Sequence, residues 1–239
     1  MNKTKIEWCD YTWNPIAGCS AISEGCANCY AAAISRRFHK PWGTPVFMPE
    51  RLAQPATQKH AGRVFVCSMS DIGHEGVTDD MRGSIYAAMR DAPWHTYIVL
   101  TKRPGPWLRH VPVECWVGVS VETQTQVYRW NELFVWADVR STKFVSVEPM
   151  LGPVTFPERA RAENWCGCGE CWSKDGGFPC PRPLRGLAWV IAGPETGAQA
   201  RPFQDEWIDK LAAESPCFFD KRPIAGVRRE WPDMKGPTA

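Results

Sequence analysis

Three cysteines near the amino end stand at a spacing that can do chemistry. Cys19, Cys26 and Cys29 read C-x6-C-x2-C, with glycines at 18 and 25 and a helical pattern directly after them. The glycines let the backbone fold closely round sulfur. The first amides of the following helix favour negative charge on a thiolate. Three thiolates are one short of a closed structural zinc site. They suit an iron–sulfur cube held at three corners, whose fourth iron stays open to a ligand. A zinc site completed by a remote ligand, or plain buried thiols, are the other readings that this spacing leaves.

A second set reads C-x-C-x2-C-x8-C: Cys166, Cys168, Cys171 and Cys180. They fall in residues 163–185, a stretch rich in glycine and proline with no helical or strand period, which reads as an inserted loop. Four sulfurs match a closed tetrahedral zinc site that would order an insertion lacking a core of its own. An auxiliary iron–sulfur cluster is the rival, and a zinc knuckle beside a rim site could also grip nucleic acid. The remaining cysteines, Cys9, Cys67, Cys115 and Cys217, lie in or near strands and read as buried thiols. The histidines show no ligand spacing; His74 follows a strand end, and packing is its simpler reading.

Composition bounds the rest. Eleven cysteines, an odd number, argue against a simple disulfide framework and for metal in a reducing compartment. Thirteen tryptophans suit core packing or flat-ring recognition. A net charge of +2 over 239 residues excludes a histone-like polycation, so a nucleic-acid partner needs local basic patches. No apolar run approaches the roughly 20 residues of a membrane span, and residues 1–10 hold no apolar signal core. The expectation is a cytoplasmic protein with no membrane partner, folded as a single domain over 1–239 that carries the 163–185 insertion.

The elements that must position these residues alternate. Apolar runs at 64–67, 97–100, 116–119, 144–147, 187–192 and 217–219 read as buried strands. Helical patterns occupy 28–38, 79–91, 123–138 and 204–214. Strand and helix in alternation predict an α/β fold with a parallel sheet. The length fits a partial (β/α)6-type barrel better than a complete eightfold one, which takes about 250 residues. Polar residues follow successive strands: Ser68, Ser70 and Asp71, then Thr101, Lys102 and Arg103, then Ser120 and Glu122, then Glu148, then Glu195 and Arg201. Parallel strands converge at their carboxyl ends, so this recurrence predicts one polar site. Helix caps and solvated turns are the alternative for any single residue. A basic stretch at 35–63, with Phe38, Trp42 and Phe47 interleaved, reads as a surface that grips a nucleic-acid backbone and stacks bases, or else as a solvated helix end.

The CANCY run at 26–30 resembles the second half of the radical S-adenosylmethionine (SAM) cluster loop. The resemblance extends to a bacteriophage family of small, three-cysteine radical-SAM-like proteins, related to isomerases of thymidine hypermodification. It is carried by KIEWCDYTWNPIAGC at 5–19, VCSMSD at 66–71, LTKRP at 100–104, VGVSVE at 117–122, VSVEPMLGP at 145–153 and WVIAGPE at 189–195. These run in order over nearly the whole chain. The more familiar radical-SAM spacing is C-x3-C-x2-C, so the first cysteine stands three residues further out here. The family's Gly-Gly-Glu-Ser-like turn is GPET at 193–196, and its Phe-Lys-Gln-Trp-Gly ending is FDKRP at 219–223. The last two departures bear on the substrate more than on the cluster.

The resemblance implies a radical SAM barrel with a [4Fe–4S] cluster on Cys19, Cys26 and Cys29. SAM would be bound through its amino and carboxylate groups and cleaved by one electron to a 5′-deoxyadenosyl radical. An electron donor such as flavodoxin or ferredoxin would serve it. Tyr30, Ser68, Ser70, Lys102, Ser120 and Glu122 are the candidates for the SAM pocket, and Glu148, Glu195 and Arg201 for the substrate. The implied reaction moves a glycine attachment from nitrogen to carbon on a modified thymidine of phage DNA, inside an infected bacterial cell. Flipping the base out of a duplex would precede it, and Arg201 or Lys102 would hold the glycine carboxylate. A radical lyase, a tRNA-modifying enzyme and a non-catalytic zinc protein that binds nucleic acid are the other readings.

Overall fold

In the computed structural model the described residues are 1–156, 188–215 and 217–232. The 163–185 insertion, with Cys166, Cys168, Cys171 and Cys180, lies outside them. The strands are β1 (Asn2–Lys3), β2 (Tyr11–Trp13), β3 (Ile16–Ala17), β4 (Val46–Phe47), β5 (Arg63–Val66), β6 (Thr96–Thr101), β7 (Trp116–Ser120), β8 (Thr142–Val147), β9 (Trp189–Ala192) and β10 (Phe218–Asp220). The helices are α1 (Tyr30–Arg37), α2 (Gln54–Thr57), α3 (Asp79–Arg90), α4 (Tyr128–Trp136) and α5 (Asp205–Glu214).

The protein is mixed α/β with a mostly parallel central sheet. Its eight strands run β1-β2-β5-β6-β7-β8-β9-β10. All neighbours from β2 to β10 are parallel, and β1 is an antiparallel edge. Spatial order follows chain order without reversal, unlike a doubly wound sheet. Every crossover therefore steps the same way. Right-handed crossovers then place the helices on one face.

The alternation along each strand shows both faces. Val64, Val66, Val99, Val117, Val119, Val145 and Val147 pack with Ile85 and Met89 of α3, Trp130 and Leu133 of α4, and Ile208 and Leu211 of α5. The other face gathers Phe65, Ile98, Trp116, Phe144, Trp189, Ile191 and Phe219, with Trp8 and no helical residue. Trp189 is the centre of that cluster. Its ring meets Trp8, Trp116, Phe144 and Phe219 at centroid distances of 5.5–6.3 Å. Its Nε1 donates to the Glu230 carbonyl at 2.7 Å. Burying each large ring on this face contributes about 2–3 kcal/mol. Gly118 sits among these rings because a Cβ there would lie 2.5 Å from the Phe144 ring.

The expected strands and helices are present within a few residues, with two differences. The parallel run holds seven strands rather than six, because Tyr11–Trp13 inserts between β1 and β5. At three residues, followed by Asn14 and Pro15, it is too short to show a period. The helix expected over 123–138 is split into a 3-10 turn, Gln124–Gln126, and α4. No helix of the described residues is long and apolar enough to cross a membrane.

Gly118→Ala should cost about 1–3 kcal/mol by overpacking, read as a lower denaturant midpoint. Adding Phe144→Leu should recover part of that loss. Equal stability of wild type and Gly118→Ala would contradict the ring packing described here.

Candidate functional site

On the sheet face away from the helices, residues change character towards the carboxyl edge. On and just beyond β7 they read Trp116, Gly118, Ser120 and Glu122; on and just beyond β8, Phe144, Ser146 and Glu148; on and just beyond β10, Phe219 and Lys221. Rings come first, hydroxyls next, and charges last. A cavity of about 360 Å³ opens at this edge. It is lined by Cys19, Cys26, Cys29, Tyr30, Ser68, Ser70, Lys102, Ser120, Glu148 and Glu195 among the residues nominated from sequence. Glu122 and Arg201 are not among its lining residues.

The cysteine loop reaches this position from the end of β2. Asn14 accepts the Met69 N–H at 2.9 Å and the Ser68 hydroxyl at 3.2 Å. The Gly18 N–H donates to the Met69 carbonyl, and Ser70 Oγ donates to the Gly18 carbonyl at 2.6 Å. Gly18 has φ +95°, and a Cβ there would strike the Thr44 carbonyl at 2.3 Å. Glycine is the residue for that turn.

Beyond Gly18, three strand-end carboxylates and their cations fasten the loop. At the end of β5, Asp71 accepts from Thr101 Oγ1 at 2.6 Å and from the Lys102 N–H at 2.9 Å, and pairs with Arg103 at 3.4 Å. Arg103 donates to the Ser20 carbonyl and hydroxyl at 2.9 and 3.0 Å, and to Cys19 Sγ at 3.6 Å. Past β7, Glu122 is completely buried. It accepts from Ser23 Oγ at 2.9 Å, from Arg129 at 2.8 Å and from Lys102 Nζ. Gly25 lies against the same carboxylate, where a Cβ would approach to 2.5 Å. Past β9, Glu195 receives the Arg201 guanidinium and, at 3.0 Å, the Asn28 amide. Arg201 also donates to the Glu24 carbonyl at 3.0 Å.

Glu122, expected in the SAM pocket, and Arg201, expected on the substrate, are thus engaged by the loop. Glu195 lines the cavity but is likewise committed to Arg201 and Asn28. The Ser70 hydroxyl is spent on Gly18, while the Tyr30 hydroxyl donates to the Ser68 carbonyl at 2.6 Å. His74 is buried. Its Nδ1 accepts from the Gly76 N–H, which leaves Nε2 to donate to Ser20 Oγ at 2.8 Å. Cys9, Cys67 and Cys115 are buried and Cys217 half-buried. Asp71 and Arg103, which the sequence places among the polar residues that follow the strands, line the cavity, and so do Ser146 and Lys221, which it does not single out. Following the period-2 alternation along β8 and one residue past the end of β10 would have found Ser146 and Lys221.

Charges of both signs act on the sulfurs. Burial alone would raise the Cys26 thiol, but a backbone hydrogen bond with Ile22 and the Lys102 ammonium bring it below its ordinary value. Burial and Asp71 push Cys19 up to about 11, against the pull of Arg103. Burial lowers Lys102. Among the described residues, no three His, Cys, Asp or Glu side chains are gathered close enough for a single metal ion. The corners of an iron–sulfur cube stand farther apart than the ligands of one ion. Three thiols facing one cavity, with Lys102 and Arg103 beside them, fit the anionic charge of such a group.

A family model described as a protein of unknown function (DUF5131) matches residues 3–220, so the chain belongs to that family. No curated protein and no solved structure matches it.

Two outcomes follow from the fastening. Glu122→Gln leaves Lys102 and Arg129 without their counter-charge and should cost about 3–5 kcal/mol. Hydrogen exchange in the metal-free protein should rise in residues 19–29 first, and uniform exchange would contradict the loop-holding role. Arg201 holds Glu195 down to about 2. A carboxylate depressed on folding adds stability above its unfolded pKa, about 4.3, and loses it as pH falls towards the folded value. The melting-temperature gap between wild type and Glu195→Gln should therefore be full at neutral pH and narrow below about pH 4.3. A gap independent of pH would contradict the pairing.

Proposed function

We propose that this DUF5131 member is a radical SAM enzyme built on a partial (β/α) barrel, with Cys19, Cys26 and Cys29 holding a [4Fe–4S] cluster. The observation that carries the reading is the convergence of these three cysteines, with no fourth among the described lining residues, on a cavity at the carboxyl edge of a singly wound parallel sheet. When bound, the cluster supplies one-electron cleavage of the SAM sulfonium and hence a 5′-deoxyadenosyl radical.

The chain's own residues do the rest. Lys102 and Arg103 offset negative charge on the sulfurs. The apolar floor of Trp8, Phe65 and Leu100 keeps water from the reacting carbon. Ser120, Ser146 and the Glu148–Lys221 pair offer the polar partners that orient a bound molecule. Arg201, outside the lining, is taken by Glu195, so the carboxylate of the substrate would share Lys102 or Lys221, the lysines that line the cavity, with their partners Glu122 and Glu148. The volume lies in the range of small-molecule sites, about 300–1,000 Å³.

The substrate we propose is the glycine-bearing thymidine of phage DNA, on the family resemblance of the six motifs. The substrate loses one hydrogen atom to the 5′-deoxyadenosyl radical and regains one as an electron from the reductant and a proton from water, so rearrangement from N-linked to C-linked glycine conserves its mass and releases one 5′-deoxyadenosine per turnover. Within the same reading, Cys166, Cys168, Cys171 and Cys180 bind zinc.

Anaerobically reconstituted protein with SAM and dithionite should form 5′-deoxyadenosine, faster with the modified DNA than with unmodified DNA. The nucleoside product should keep its mass and change its retention. Replacing Cys19, Cys26 or Cys29 by alanine should abolish both products. Iron-loaded wild type that forms no 5′-deoxyadenosine would overturn the reading.

A further inference from the structure

Beside the cavity, α1 carries recognition chemistry that the cavity does not use. The helix buries Ala31 and Ser35 and turns Tyr30, Ile34 and Phe38 to solvent. These are positions i, i+4 and i+8, one stripe about 12 Å long. The stripe starts at the cavity, because Tyr30 lines it. The Tyr30 hydroxyl is anchored on the Ser68 carbonyl while the residue stays 50% exposed, so the ring is a fixed platform. Phe38, at the far end, is 60% exposed, with the Arg37 guanidinium 5.7 Å from its centroid.

Charge separates this surface from an ordinary apolar face. Arg36, Arg37 and Lys40 are exposed, and no carboxylate among the described residues pairs with them. The other basic residues of the 35–63 stretch are engaged within the protein: Arg51 donates to the Asn14 carbonyl, Lys59 to the Ala56 carbonyl, and Arg63 pairs with Asp10. Phe47 packs against the core. The basic, aromatic character seen in the sequence therefore narrows to α1 and the turn after it. Unpaired cations beside exposed rings complement a polyanion that offers flat faces. A duplex hides its base faces; an unpaired strand does not.

We infer that the exposed face of α1 is a docking track for an unpaired stretch of nucleic acid, with phosphates on Arg36, Arg37 and Lys40 and bases against Phe38 and Tyr30. The inference rests on the functional reading above for where the strand leads, and names the form in which the polymer arrives. Binding itself needs no cluster.

The test is fluorescence anisotropy of the metal-free full chain with a labelled oligothymidine, single-stranded and as its duplex with oligoadenine. The single strand should bind more tightly. Phe38→Ala should weaken it roughly tenfold. The Arg36→Gln/Arg37→Gln double variant should weaken it and reduce the salt slope by about 1.4. All these side chains are exposed, so unchanged melting temperatures should confirm that the variants fold. Variants that bind like wild type, or a preference for the duplex, would overturn the inference. So would light scattering that finds a dimer broken by Phe38→Ala, since a second copy would then cover the stripe. Strand binding without 5′-deoxyadenosine formation sinks the radical reading and leaves the track standing. Activity with no dependence on Phe38, Arg36 or Arg37 does the reverse.

Discussion

A loop with little secondary structure of its own has to present three sulfurs to one cavity, and three carboxylates hold it there. Asp71, Glu122 and Glu195 stand at the carboxyl ends of β5, β7 and β9. Each works with a cation, and each grips a different part of the loop: Cys19 and Ser20, Ser23 and Gly25, Glu24 and Asn28. Buried charge pairs of this kind add little net stability, but losing one partner is costly. Their consequence here is geometric. The loop is fixed to the strands that shape the cavity, so sulfurs and rim charges keep a common frame.

That frame depends on what lies beneath it. The same alternation that sends valines towards the helices sends Trp116, Phe144, Trp189 and Phe219 the other way. These rings pack with Trp8 and Phe65, which line the cavity, and the next positions along the strands, Ser120, Ser146 and Lys221, line it too. Gly118 and Gly193 give room where neighbouring strands crowd: a Cβ on the first would meet Phe144, and on the second Lys221. Packing and site are thus one periodic pattern read at two heights.

Much of this was legible in the sequence, because parallel strands are short apolar runs and the residues after them converge. The runs around Val64, Ile98, Val117 and Val145 located four strands, and the cysteine spacing located the loop. What stayed hidden depended on partners distant in the chain. Nothing near Glu122 says that its carboxylate meets Ser23 and Arg129 rather than a ligand. Arg201 looked like a carboxylate receptor, yet Glu195 was already its partner. Arg103 sat in plain view beside Lys102, but only the fold brings it to Cys19. The strand Tyr11–Trp13 was too short to show a period, and its place is set by pairing with β5.

The central claim is an iron cube on three thiolates with one iron open to SAM. Electron paramagnetic resonance of the reduced, reconstituted protein tests it most directly, with and without SAM. The account predicts a [4Fe–4S] signal that changes shape when SAM is added, and that is lost when Cys26 is replaced by alanine. A signal indifferent to SAM, or wild-type protein that takes up zinc at these cysteines and no iron, would contradict it.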